Sequence, residues 1–486
     1  MRRKDGSPHG ILVLAVVAGL LLLCASTLIA QEKIVPSKAP LNPEFLRYMQ
    51  ARAEGRVQQY TPGGMPLGHI PAPLDLSYMK GMQVFPARAK SIPATYDLRT
   101  KNKLTPVKDQ GQCGSCWAFA TFGSGESWLK PGESRDFAEW HMCQNHGWDW
   151  TSCEGGNSCL ATAYLAQWKG PYNETDFPYP YYVELGHDAA IQKHVQDVYW
   201  LPGRASYTAN DTVKKAVMDY GAVTIDFFVD DTPSKYFNAD RTTYYMNVVS
   251  DGTNHEVCIV GWDNNYSKTR FYHQAPGNGA FIIRNSWGTA YHDDGYFYMS
   301  YYDKNLKLGA CFNGFKATDN FGGFYYVDPL GCINFSGYGT TTAWGANVFK
   351  ATSTARPIKA VSTYFAVPNT AYQIYVYNNV TSTTNPRTGT LLVSKTGTQS
   401  LPGYHTITLP TQAAITAGKK FSVVIKYTTP GYNYPVPIEY KYAGLTSKAT
   451  AKPQESYMSS NGTSWADTTT YDKTENVCIK AFDVKR

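Results

Sequence analysis

The stretch Asp109-Gln110-Gly111-Gln112-Cys113-Gly114-Ser115-Cys116-Trp117-Ala118-Phe119 decides how the rest of this 486-residue chain is read. A Gly-Ser turn gives way at Cys116 to an apolar run of helical period, which predicts a thiol on the first turn of a helix. Unpaired backbone N–H groups and the helix dipole favour negative charge there, so a thiolate is expected near neutral pH. A thiolate is the nucleophile that acyl transfer needs.

Such a nucleophile requires an imidazole to exchange protons with and a third group to hold the ring. His255 opens the apolar, β-rich run His255-Glu256-Val257-Cys258-Ile259-Val260, which reads as a buried strand. Asn285 follows the β-branched run Phe281-Ile282-Ile283-Arg284. Either residue alone would be unremarkable in a strand. The pattern Cys113-x-x-Cys116 could by itself be a redox pair or half a zinc site, yet no second such pair stands at ligand spacing, so no metal and no cofactor are expected.

Together the segments resemble the papain-type cysteine peptidases. Gln110 to Trp117 is similar to that family's nucleophile segment, Asn254-His255-Glu256-Val257 to its histidine segment and Asn285-Ser286-Trp287-Gly288 to its asparagine segment; Cys153-Glu154-Gly155-Gly156 resembles its Cys-x-Gly-Gly loop. Four motifs in this order are far more specific than any single pattern. The resemblance implies an α+β catalytic domain of two lobes, one helical and one β, with Cys116, His255, Asn285 and Gln110 as catalytic residues. Gln110 would offer its amide to the developing oxyanion, and Trp287 would shield the His255–Asn285 bond. Gly155, Gly156, Asn254 and Trp287 would meet the substrate, a protein or peptide. A Cys113–Cys153 disulfide is likewise implied. Glu126, on the predicted helix after Cys116, reads as a buried structural carboxylate rather than a catalytic one.

The motifs fill only the middle of the chain, and the length calls for two or three domains. Residues 1–30 read as an export signal, with Arg2, Arg3 and Lys4 ahead of the apolar run Ile11 to Leu23 and Ala30 as the cleavage point. Residues 31–90 read as a propeptide: Asn42-Pro43-Glu44 starts a helix with Phe45, Tyr48 and Met49 on one face. The Pro- and Gly-rich stretch after Gly55 is extended and able to lie across a cleft, and removal is expected near Arg88 to Lys90. The peptidase domain is then 91–317. Residues 318–486 carry short β-rich runs, among them Val361 to Val367, Gln373 to Tyr377, His405 to Leu409, Phe421 to Tyr427 and Val477 to Phe482, and predict a β-sandwich. This region resembles the lectin-like domains attached to some papain-type peptidases, which implies a glycan or cell-surface ligand.

A net charge of +7 without a basic cluster beyond the first residues leaves nucleic-acid binding unsupported. Ten cysteines suit an oxidising compartment. Eight cysteines besides Cys24 and Cys116 permit four bridges: Cys332 with Cys478 and Cys143 with Cys159 are candidates, and Cys258 is either paired or a buried free thiol that leaves Cys311 unpaired too. The expectation is a secreted or cell-surface cysteine endopeptidase, made as a zymogen and with no stable membrane span once the signal is removed. The competing reading is an adhesin or glycan-binding protein that retains a papain-like module with little turnover.

Overall fold

The structure is a computed structural model that describes residues 35–84, 91–180, 189–232 and 234–485. The expected signal segment and the expected processing site at 88–90 lie outside these residues. Within them no helix is long and apolar enough to cross a membrane. Residues 36–486 form one compact unit.

Five α-helices occur among the described residues: α1 (Pro43–Ala53), α2 (Cys116–Leu129), α3 (Glu139–Asn145), α4 (Ser158–Ala166) and α5 (Asp211–Tyr220). Helix α1 begins as its sequence dictates, because the Asn42 side chain accepts from the Glu44 N–H and Pro43 occupies the first turn. Helix α2 is buried on all sides over most of its length; its residues from Cys116 to Ser127 are all inaccessible. It runs between the helical lobe and the β lobe, so that it contributes Trp117 and Phe122 to one core and Ala120 to the other. Glu126 in this helix accepts from the Phe137 N–H at 2.9 Å and the Thr105 hydroxyl at 2.6 Å, a structural role.

The β lobe is a seven-stranded sheet whose central strand, His255–Asp263, pairs antiparallel with Val223–Phe227 on one side and Ala280–Arg284 on the other. Thr95–Asp97 also pairs with it. Its strands are continuous runs of buried residues rather than alternating ones, because α2 and α5 cover it.

The C-terminal region is the expected all-β sandwich. One six-stranded sheet contains Thr370–Asn378, Lys420–Thr428 and Thr342–Lys350; the other contains Ile358–Phe365, Gly403–Ala413 and Ile479–Asp483. Alternation places Phe421, Val423, Ile425 and Tyr427 in the shared core, while Val424 packs in a smaller cluster on the opposite face with Trp344 and Tyr377. The division at 317/318 follows chain order more closely than the fold does. Asp197–Trp200 and Ala310–Phe312, from the catalytic part, extend the second sheet beyond Gly403–Ala413. One apolar core runs from Trp117, Leu160 and Leu165 to Ile333, Phe335 and Tyr364. Trp140 of α3 and the loop 146–150 that follows the helix serve this junction: Trp140, Trp148 and Trp150 are buried, the Trp148 indole donates to Leu330 O at 3.0 Å, and Asp149 accepts from Ser447.

The segment ahead of the catalytic part is held by the sandwich. Ser37–Lys38 pairs with Ser336 and Gly337 as an added strand. Lys38 pairs with Asp472 at 2.5 Å and Glu475 at 3.3 Å. Phe45 packs edge-on against Tyr442, Arg52 donates to Gly444 O, and Tyr78 stacks on Tyr432.

Of the expected disulfides, Cys113 is bonded to Cys153. The other two pairings are corrected: Cys332, Cys478, Cys143 and Cys159 are all free and buried. Each fills apolar core as a small hydrophobe, which asks for no cross-link. Cys258 and Cys311 are free as well.

Candidate active site

Cys116 is the first residue of α2, and Ser115 precedes it in a non-helical conformation. The Cys116 N–H therefore has no partner inside the helix. Its sulfur is fully buried and accepts from the Glu256 N–H at 3.4 Å, which ties α2 to the start of the central strand. His255 opens that strand and Asn285 follows the neighbouring one. Strand pairing brings these two segments side by side, and His255 Nε2 lies 2.8 Å from Asn285 Oδ1. The amide oxygen can only accept, so Nε2 carries the proton and Nδ1 is left bare. Nδ1 is buried with no hydrogen-bond partner. Trp287 lies over the imidazole with ring centroids 4.7 Å apart.

One residue of this constellation escaped the sequence reading. The Asn285 Nδ2 group donates to His292 Nε2 at 3.0 Å, and His292 Nδ1 in turn donates to Arg241 O at 2.8 Å. His292 thus fixes which way the Asn285 amide points. It sits at positive φ in a turn, where nothing in the local sequence marks it.

The cleft is filled by residues 66–70. Gln110 Nε2 donates to Leu67 O at 3.2 Å and to Cys113 O at 2.9 Å, while its Oε1 accepts from the Ser286 hydroxyl at 2.7 Å. The Trp287 indole donates to Pro66 O at 3.1 Å. His69 N donates to Asn254 O at 3.1 Å, so Asn254 meets the segment through its main chain; its side chain is engaged with Val229. Gly156 N donates to Gly68 O at 2.9 Å and Ile70 N to Gly156 O at 2.8 Å, a strand-like parallel pairing. The two glycines of the loop act differently. A Cβ on Gly155 would stand 2.6 Å from Gly68 O, so its absence lets the segment approach; a Cβ on Gly156 would strike the Trp117 indole at 2.6 Å, so that glycine serves packing.

This filling changes the charge expected of the thiol while the cleft is covered. Burial pushes the Cys116 thiol well above its usual range, and burial pulls the His255 imidazole down to about 4. The pair is neutral in this state because the covering segment has removed the water that would solvate separated charges. The helix N-terminus does not outweigh that desolvation.

One further group lies in the cleft. His69 Nδ1 stands 3.3 Å from Asp226 Oδ1 and 3.4 Å from Glu256 Oε2. Among the described residues these three side chains form a group able to hold a metal, with ligand atoms within 4.8 Å of one another.

Residues 92–311 match the family model of the papain family cysteine protease, and residues 324–483 match that of the lectin like domain. Cysteine proteinase 2 of Entamoeba histolytica is 30% identical over 223 residues, 43% of this chain and 63% of that protein. Pro-cathepsin H of Mus musculus is 30% identical over 231 residues, 45% of this chain and 63% of that protein. The chain thus spans somewhat under two thirds of these relatives. Among solved structures, the cysteine protease and lectin-like domains of Cwp84, a surface layer associated protein of Clostridium difficile, superpose with a TM-score of 0.76 at 25% identity, covering 93% of this chain and 98% of that one. Cwp84 after propeptide cleavage superposes with a TM-score of 0.69 at 26% identity, over 81% of this chain and 99% of that one.

Proposed function

Because residues 92–311 belong to the papain family of cysteine proteases and residues 324–483 to the lectin-like domains, we propose that the chain is an exported endopeptidase made in a latent form. In this reading the C-terminal sandwich is an accessory domain that binds a glycan or surface ligand and the segment before residue 91 is a propeptide. The relatives support latency, since one is a pro-cathepsin and another is described after propeptide cleavage. The observation that carries the reading is the 2.8 Å contact between His255 Nε2 and Asn285 Oδ1, which leaves Nδ1 bare on the residue next to Glu256, whose N–H donates to the Cys116 sulfur.

With the cleft open, the Cys116 S–H proton passes to His255 Nδ1 and the sulfur adds to the scissile carbonyl. The carbonyl oxygen becomes an oxyanion that accepts from Gln110 Nε2 and the Cys116 N–H. Leu67 O already accepts from that amide in the closed state, which supports this placement. Collapse breaks the C–N bond, His255 gives its Nδ1 proton to the leaving amine, and a thioester remains. Water then adds with His255 as base and Cys116 leaves as thiolate. The test is stoichiometric labelling of Cys116 by an epoxide thiol reagent in processed protein, together with turnover of a protein substrate. An inert Cys116 in processed protein overturns the reading in favour of an adhesin.

Two substitutions probe the supporting groups. Gln110→Ala removes one oxyanion donor and is expected to lower kcat by about 10²–10³, read by steady-state kinetics on peptide substrates. His292→Phe leaves the Asn285 amide free to rotate, so that its NH₂ can face His255. The expected result is a kcat lower by roughly 10- to 100-fold with KM little changed, and an altered pH profile of kcat. An unaltered profile would make His292 merely structural.

A further inference from the structure

The Val223–Phe227 and His255–Asp263 strands place Asp226 directly opposite Glu256. Two carboxylates facing each other across an antiparallel pair repel one another. Glu256 is fully buried, and one of its oxygens accepts from the Ser158 hydroxyl at 2.8 Å. Its other oxygen and one oxygen of Asp226 converge on His69 Nδ1. On the far side of Asp226 its cross-strand partner is Lys307, whose ammonium is engaged by Glu44 of α1. The imidazole is thus the group seated between the two acids.

His69 reaches this position on a backbone that pairs with Gly156 as an extended peptide does, two residues from the carbonyl held by Gln110. The segment therefore shows what the open cleft accepts: an extended main chain along Gly156 with a side chain directed at paired carboxylates. Burial raises Asp226 to about 7 and Glu256 to about 8. For Asp226 the neighbouring Glu256 charge adds to the rise.

We propose that Asp226 and Glu256 form a cation-selecting subsite, so that the enzyme cleaves substrates whose residue at the place of His69 is Lys, Arg or His. A guanidinium or ammonium supplies permanently charged donors that a single imidazole nitrogen cannot share fully between two acids. A resident metal is the weaker reading of the same three side chains, because one of them belongs to the segment whose removal opens the cleft. The inference rests on the peptidase reading for its substrate, but its binding arm does not.

The first arm measures protection of Cys116 from epoxide labelling, in the processed chain with its C-terminal sandwich, by synthetic peptides spanning residues 62–74. The natural peptide and its His69→Lys form are expected to protect at about tenfold or more lower concentration than the His69→Leu form. Equal protection by the Leu peptide overturns the proposal. The second arm scans a fluorogenic library at three positions on the acyl side of the scissile bond. A basic residue is expected to exceed Leu by about tenfold or more at one position, and Asp226→Asn and Glu256→Gln should each collapse that ratio while preferences at the other positions persist. An apolar preference at all three positions, or a basic preference that survives both substitutions, overturns it. If no library member is turned over at all, the peptidase reading fails and the first arm still decides the subsite.

Discussion

Cys116→Ala is expected to lower turnover of peptide substrates by roughly 10⁶-fold, to the level left by binding and the oxyanion donors alone. The residue is fully buried at the start of α2, and replacing its sulfur by hydrogen removes one small atom and its weak 3.4 Å contact with the Glu256 N–H, so the variant should fold. The loss is therefore chemical. No other described cysteine shares its setting: Cys258 donates to Ala120 O, and the remaining free thiols sit in apolar core, none of them at the start of α2. Melting temperature and kcat measured on the same preparation check this. Substantial turnover by the folded variant would place the nucleophile elsewhere.

The second large effect concerns the state of the thiol. With residues 66–70 in the cleft, Cys116 and His255 are both neutral, so iodoacetamide should modify the unprocessed chain at least about 100-fold more slowly at pH 7 than the processed chain, since each unit of raised thiol pKa costs about a factor of ten in thiolate. The sign with pH follows. Thiolate is the reactive form, so the rate for the unprocessed chain should climb through and beyond the ordinary thiol range as pH rises. The processed chain, with its cleft solvated and the imidazole free to hold the proton, should react at a nearly constant rate across neutral pH. Stopped alkylation followed by mass spectrometry of the Cys116 peptide gives both profiles. A matching perturbation comes from Gly68→Val. A Cβ at Gly68 would stand 2.4 Å from the Gly114 carbonyl carbon, so the variant segment must leave the cleft and the unprocessed chain should react like the processed one. Superposable profiles for wild-type processed and unprocessed protein would remove the latency argument.

The proposed latency also has an anchor outside the cleft. The added strand Ser37–Lys38, the Lys38 ion pairs and the Tyr78–Tyr432 stack fasten the segment to the sandwich, so scission beyond residue 84 alone is expected to leave the proposed propeptide bound until those contacts are broken.

Much of this was legible in the sequence because it is local. The Gly-Ser turn before an apolar helix places Cys116 at a helix start, the β-branched runs put His255 and Asn285 at strand ends, and Asn42-Pro43 caps a helix, since each outcome is set by backbone preferences within a few residues. The C-terminal strands were visible for the same reason, through their period and their turns. Tertiary structure alone decided the rest. His69, Asp226 and Glu256 lie far apart in the chain and become one group only when a parallel segment and two antiparallel strands converge. His292 matters only because Asn285 folds back to it, and the sheet shared across residue 317 appears only when Asp197–Trp200 finds Gly403–Ala413. The charge on Cys116 belongs to this second class. A helix N-terminus favours thiolate wherever it stands, but whether that preference prevails depends on how much water the folded chain leaves around the sulfur, and the sequence holds no local record of solvent.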